Sequence, residues 1–96
     1  MVVFFLFMFT VYILQSLITG RYYVGHTDDL SRRIEEHNTG QAKYTRRGKP
    51  WRVVYTEKYQ SRTMAMKRER EIKGKKSRKY IQELIEMGER PDTPEA

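Results

Sequence analysis

Two short segments limit this chain more than anything else in it: TVYILQ at Thr10–Gln15 and RYYVG at Arg21–Gly25. Both are rich in β-branched and aromatic residues, which favour strands. The residues between them, a turn at Ser16–Thr19, close on Gly20, which reaches the positive φ that a tight connection needs. An antiparallel hairpin is the expectation. Side chains alternate faces along a strand, so Tyr12 shares a face with Thr10 and Leu14, and Tyr23 with Arg21 and Gly25. Tyr22 points the other way with Val24. A turn centred between Leu17 and Ile18 sets Tyr12 directly opposite Tyr23.

The rest of the chain follows in recognisable pieces. HTDDL opens a helix in which Thr27 or Asp28 can cap the free amides; it runs to about Asn38, and Gly40 stops it. Gln41–Pro50 reads as a basic loop and Trp51–Thr56 (WRVVYT) as a third strand. A second helix begins near Ser61 or Thr63 and reaches about Lys73, with Gly74 ending it. A third starts after Ser77 and ends at Gly88, its Ile81, Leu84 and Ile85 forming an apolar stripe. The order ββαβαα predicts an α+β domain, a small three-stranded, mostly antiparallel sheet flanked by three helices.

The 96 residues suffice for one modest core. The chain has no cysteine, which excludes disulfides, thiol catalysis and cysteine-based zinc sites and fits a cytoplasmic protein. Its net charge of +7 points to an anionic partner, nucleic acid first and an anionic membrane surface second. The charge is uneven: Gln41–Arg52 holds five basic residues and no acid, and Arg62–Lys79 nine against Glu69 and Glu71, while Tyr80–Ala96 is acidic. Val2–Phe9 is continuously apolar, too short to span a membrane and without the flanks of a signal peptide. It reads as an N-terminal extension over residues 1–9, with a translation start at Met8 as one expectation. The domain covers residues 10–88, and residues 89–96 form a frayed tail.

Several polar groups fall on faces that should be packed. In the first helix Leu30, Arg33, Ile34 and His37 share one stripe at i, i+3, i+4, i+7. In the second, Ala65, Glu69 and Ile72 do the same. An unpaired charge there costs several kcal/mol or shifts its pKa. Each residue alone has an ordinary explanation: a packed tyrosine, an arginine whose head reaches water, or a Glu69–Lys73 pair at i, i+4. Taken together, Tyr12, Tyr23, Arg33, His37 and Glu69 are expected to converge and satisfy one another.

These residues carry a resemblance. TVYIL followed by YYVG resembles the paired signature of the GIY-YIG nuclease superfamily, with Tyr12 in the first triplet and Tyr23 in the second. The arginine ten residues after the second tyrosine, Arg33, matches the family's catalytic arginine. His37 matches the histidine that several members carry one turn later, and Ala65–Glu69 (AMKRE) the helix with the metal-binding glutamate. The chain is most similar to small stand-alone bacterial members, and the match covers about Thr10–Lys79. It departs in having Thr10-Val11-Tyr12 as the first triplet.

The resemblance implies a metal-dependent endonuclease that hydrolyses phosphodiester bonds, in DNA ahead of RNA, in repair or recombination. Glu69 would hold Mg2+ or Mn2+, and Arg33 would fork onto the phosphate. Tyr12 would accept the proton of the attacking water, Tyr23 assisting, its anion stabilised by Arg33, the metal and a hydrogen bond to His37. Gly25 is expected to let substrate or the helix start approach closely, and His26 to face solvent or phosphate. Arg46, Arg47, Lys49, Lys67, Arg70, Lys75, Lys76 and Arg78 are the residues that could track a phosphate backbone, with Tyr44 able to stack on unpaired bases and Trp51 in the core. The alternatives are a nucleic-acid-binding module of the same fold with little or no cleavage, and a membrane-associated protein. Oligomeric state is left open.

Overall fold

The structure, a computed structural model, describes residues 8–88. The expectations for residues 1–7 and 89–96 lie outside that span. The elements run β1 (Phe9–Ser16), β2 (Tyr22–Thr27), α1 (Leu30–Thr39), a 3-10 turn at Lys43–Gly48, β3 (Trp51–Tyr59), α2 (Arg62–Lys75) and α3 (Arg78–Gly88). This is the expected ββαβαα order. The sheet is antiparallel throughout, in the order β2-β1-β3.

Central placement explains the composition of β1. It is covered on both edges and both faces, and Val11, Tyr12, Ile13 and Leu14 are each 1% exposed or less. Val11, Ile13 and Val24 face Ala65 and Ile72 of α2 and Leu84 of α3. Tyr12, Leu14 and Trp51 face Leu30 and Ile34 of α1. The sheet is thus a filling between one helix and two, and alternation along β1 assigns each side chain its layer. No helix among the described residues is long and apolar enough to cross a membrane.

The hairpin register differs from expectation. Tyr12 pairs with Gly25 and Leu14 with Tyr23, so the tyrosines are diagonal neighbours on one face, not direct partners. The cause is Ser16. Its hydroxyl accepts from the amides of Ile18 and Thr19, and its backbone N–H reaches Arg21 O. This displaces the four-residue turn by one residue toward β2. Gly20 takes φ 76° as required.

Element ends also move. The cap of α1 is Asp29, which accepts from the Arg32 amide, while Thr27 accepts from Asp29 N in the turn before it. Gly40, at φ 87°, ends the helix as expected. The expected basic loop contains the 3-10 turn. Strand β3 runs three residues beyond Thr56, because Glu57 is held by both nitrogens of an Arg68 fork at 2.9 and 3.0 Å and by the hydroxyls of Tyr55 and Tyr59. Helix α2 is capped by Ser61 and passes through Gly74, ending instead on Lys76 in the left-handed region at φ 49°. The Lys75 ammonium stands 5.3 Å above the Tyr80 ring, an attraction that favours the extra turn.

Candidate active site

The polar centre lies on the α1 side of the sheet. Helix α1 brings His37 under the strands, where it is wholly buried. Its Nε2 lies 2.9 Å from the Tyr12 hydroxyl and its Nδ1 lies 2.6 Å from the Thr45 hydroxyl. Thr45 itself donates to Ala42 O, so its oxygen accepts from His37 Nδ1–H. That fixes the tautomer: Nε2 is the bare nitrogen, and Tyr12 donates to it. The Tyr23 ring stands edge-on to His37 at 5.0 Å and tilted to Tyr12 at 6.4 Å.

Burial sets the electrostatics of this pair. It pushes the Tyr12 phenol up to about 12, against the pull of the adjacent Arg33 guanidinium. Burial, with the positive charge of Arg33, brings His37 down to about 4. Both groups are neutral over the ordinary pH range. The expected stabilisation of a Tyr12 anion by His37 is therefore corrected: the imidazole accepts from the phenol and offers it no proton.

Gly25 has a different role from the expected one. A Cβ on it would lie 2.6 Å from the Tyr12 hydroxyl and 3.2 Å from the Tyr23 ring. Its bareness makes room for the Tyr12 side chain of the neighbouring strand.

Arg33 and Glu69 complete the group at its rim. Arg33 is half-buried, and its guanidinium donates to Glu36 at 2.6 Å, which raises it further above its ordinary value. Arg33, Glu36 and His26 line a cleft of about 370 Å³. Glu69 reaches the β2 edge from α2 with its side chain 18% exposed. One of its oxygens lies 2.6 Å from His26 Nδ1, and the other accepts from Lys73. Burial pushes its carboxyl up, but the Lys73 and His26 hydrogen bonds outweigh this and hold it below the usual carboxylate range. Lys73 also stands 5.9 Å over the Tyr23 ring, joining Glu69 to the tyrosines. His26, expected to face solvent or phosphate, lines the Arg33 cleft and is bonded to Glu69 as well.

Among the described residues no group of three or more His, Cys, Asp or Glu is arranged to hold a metal ion. Glu69 is an ionised hard-oxygen group of the kind that magnesium-type ions take, one or two carboxylates with water and phosphate completing the shell, and an ion there would displace His26 or Lys73 from it.

The basic residues divide by location. Arg46 and Arg47 of the 3-10 turn line a larger cleft of about 620 Å³ together with Arg21, Lys43, Tyr44 and Tyr23. Arg78 lies 4.6 Å over the ring of Tyr22, which lines the same cleft. Lys49, Arg70 and Lys76 are exposed. Lys67 lies in a groove with Tyr59 and Met64, and Lys75 near Arg68 and Tyr80; neither is brought to the tyrosines. Trp51 is core as expected, its indole N–H bonded to Thr45 O.

Four contributors escape a reading of the sequence. Thr45, which fixes the His37 tautomer, is hidden in a basic stretch. Arg21 and Lys43 join the large cleft only through the turn geometry. Asn38, whose side chain bonds both the N–H and the C=O of Trp51, ties α1 to β3. No spacing in the sequence flags Thr45, whose contact with His37 is made by the turn after α1.

Comparison with known proteins agrees with this fold. A family model described as the GIY-YIG catalytic domain matches residues 8–81. UPF0213 proteins of Staphylococcus aureus strains Mu3 and N315 are 47% identical over 55 residues, 56% of this chain and 67% of theirs. The solution NMR structure of a UPF0213 protein from Bacillus halodurans matches with a TM-score of 0.55 at 39% identity, over 88% of each chain.

Proposed function

This chain belongs to the GIY-YIG catalytic domain family, a family of nucleases, and from that premise we propose that it is a divalent-cation-dependent endonuclease hydrolysing phosphodiester bonds in DNA. The observation that carries the reading is the hydrogen-bonded line from Tyr12 through His37 to Thr45. It gives a buried phenol a place to send its proton.

Free phenolate is not available with the Tyr12 group near 12. A relay avoids it. As the water oxygen bonds to phosphorus, its proton passes to the Tyr12 oxygen while the Tyr12 proton passes to His37 Nε2. The P–O ester bond breaks, and the departing oxygen takes a proton from solvent. Tyr12 ends neutral and His37 ends as an imidazolium. Imidazolium is costly in this buried place beside Arg33, so the proton is returned promptly to solvent. Arg33 exchanges Glu36 for the phosphate oxygens, its planar fork matching them. Tyr23 walls the site on the side of the larger cleft. Glu69, ionised already, would hold Mg2+ or Mn2+. The chemistry such an ion supplies is neutralisation of charge on the phosphate and the leaving oxygen.

A second reading, a binding module without turnover, has one specific observation in its favour: Glu36 occupies Arg33, and His26 and Lys73 occupy Glu69. Nicking of supercoiled plasmid separates the two. The endonuclease nicks with Mn2+ or Mg2+ and stops with EDTA; Arg33→Ala and Glu69→Gln reduce the rate by about 10²-fold or more while DNA is still bound. Salt-sensitive binding with no nicking under either metal establishes the module instead.

A further inference from the structure

The tip of the β1–β2 hairpin exposes two adjacent aliphatic side chains, Leu17 at 58% and Ile18 at 69%. Single exposed apolar residues are ordinary. These two stand on a stiff support. The Ser16 hydroxyl accepts from the Ile18 and Thr19 amides and donates to Gly48 O at 2.6 Å. The Leu17 amide donates to Pro50 O, and the Gln15 side chain to Gly20 O. The tip is thereby bolted to the basic 3-10 turn. Thr19, the next residue, lines the large cleft with Arg21, Arg46, Arg47 and Tyr44. Tyr44 is 88% exposed. The same cleft ends on Tyr23, the wall of the polar centre.

We propose that Leu17 and Ile18 form a wedge that packs on the last base pair where a duplex opens into a single strand, delivering the freed strand along the Arg21–Arg46–Arg47 cleft toward Tyr23. The proposal rests on the reading of the Tyr12 cluster as the cleavage site. Aliphatic side chains that enter nucleic acid act by replacing base stacking, and they work from rigid supports flanked by phosphate-binding cations. Here Arg21, Arg46 and Arg47 line the cleft that begins beside the tip at Thr19, which gives the freed strand a path. Tyr44 offers its face to a base in that strand. Nucleic acid is favoured over a lipid surface because the cleft leads inward to the polar centre and carries an aromatic platform.

The test is equilibrium binding of the full chain, without divalent cations, to three labelled DNAs: a blunt duplex, a single strand, and a duplex with a single-stranded arm carrying 2-aminopurine in the last base pair. The wedge predicts that the armed duplex binds about tenfold more tightly than the blunt one, the worth of roughly one stacked base, and that 2-aminopurine fluorescence rises on binding. The double variant Leu17→Ser, Ile18→Ser, at exposed positions and checked for folding by thermal melt, loses both effects and keeps its single-strand affinity. An unchanged fluorescence in the wild type, or a variant that keeps the junction preference, overturns the proposal. Flotation with phosphatidylglycerol vesicles that depends on Leu17 and Ile18, in the absence of a junction preference, overturns it in favour of a membrane contact. A fluorescence rise in a protein that cleaves no substrate supports the wedge and removes the reading of the cleavage site.

Discussion

At the scale of single residues, the account depends on neutral groups that burial keeps neutral. His37 sits at about 4 against an ordinary 6.5, so the unfolded chain binds more protons between those values. Its contribution to stability is full above about pH 6.5 and is lost as pH falls toward 4. Going from pH 7 to pH 5 should remove about 2 kcal/mol, read by urea denaturation at both pH values, and His37→Gln should flatten that slope. An equal slope in the variant would place the titration elsewhere. Gly25→Ala should cost about 1–3 kcal/mol and slow cleavage, because the new methyl group meets the Tyr12 hydroxyl; a variant as stable as the wild type would show that Tyr12 is free to move. That Tyr12, Tyr23, Arg33, His37 and Glu69 are polar groups on packed or half-packed faces was legible in the sequence. What they donate and accept was not. That depended on Thr45, Glu36 and His26, whose positions no periodicity reports.

At the scale of elements, the sequence located each α-helix and strand among the described residues, read the 3-10 turn as loop, and misplaced several ends. The errors share a cause. Ends depend on side-chain partners distant in sequence, such as Arg68 for the polar end of β3 and Tyr80 for the last turn of α2. Gly74 was read as a stop by local rule, and the helix passes through it. The actual terminus, Lys76 at φ 49°, is a lysine in a conformation that costs an L-residue about 1–2 kcal/mol. Lys76→Gly should therefore raise stability by about 0.5–1 kcal/mol, seen as a higher urea midpoint at unchanged m. A lower midpoint would mean that the Lys76 side chain contributes more than its backbone costs.

At the scale of the whole molecule, the sheet separates two kinds of work. The α2–α3 side is an apolar core tied by the Glu57–Arg68 fork. The α1 side carries the phenols and the imidazole, with the basic cleft opening beside them. Net charge announced an anionic partner; only the fold shows that Arg46 and Arg47 face the tyrosines while Lys67 does not. The central claim is that Tyr12 transfers a proton during hydrolysis and is no mere packing ring. Single-turnover cleavage of end-labelled DNA in Mn2+ by the wild type and Tyr12→Phe, with affinity measured in parallel, tests it most directly. The account predicts a rate lower by about 10²–10⁴ with affinity within about threefold, as a proton-transfer role requires. Cleavage by Tyr12→Phe at the wild-type rate would contradict it.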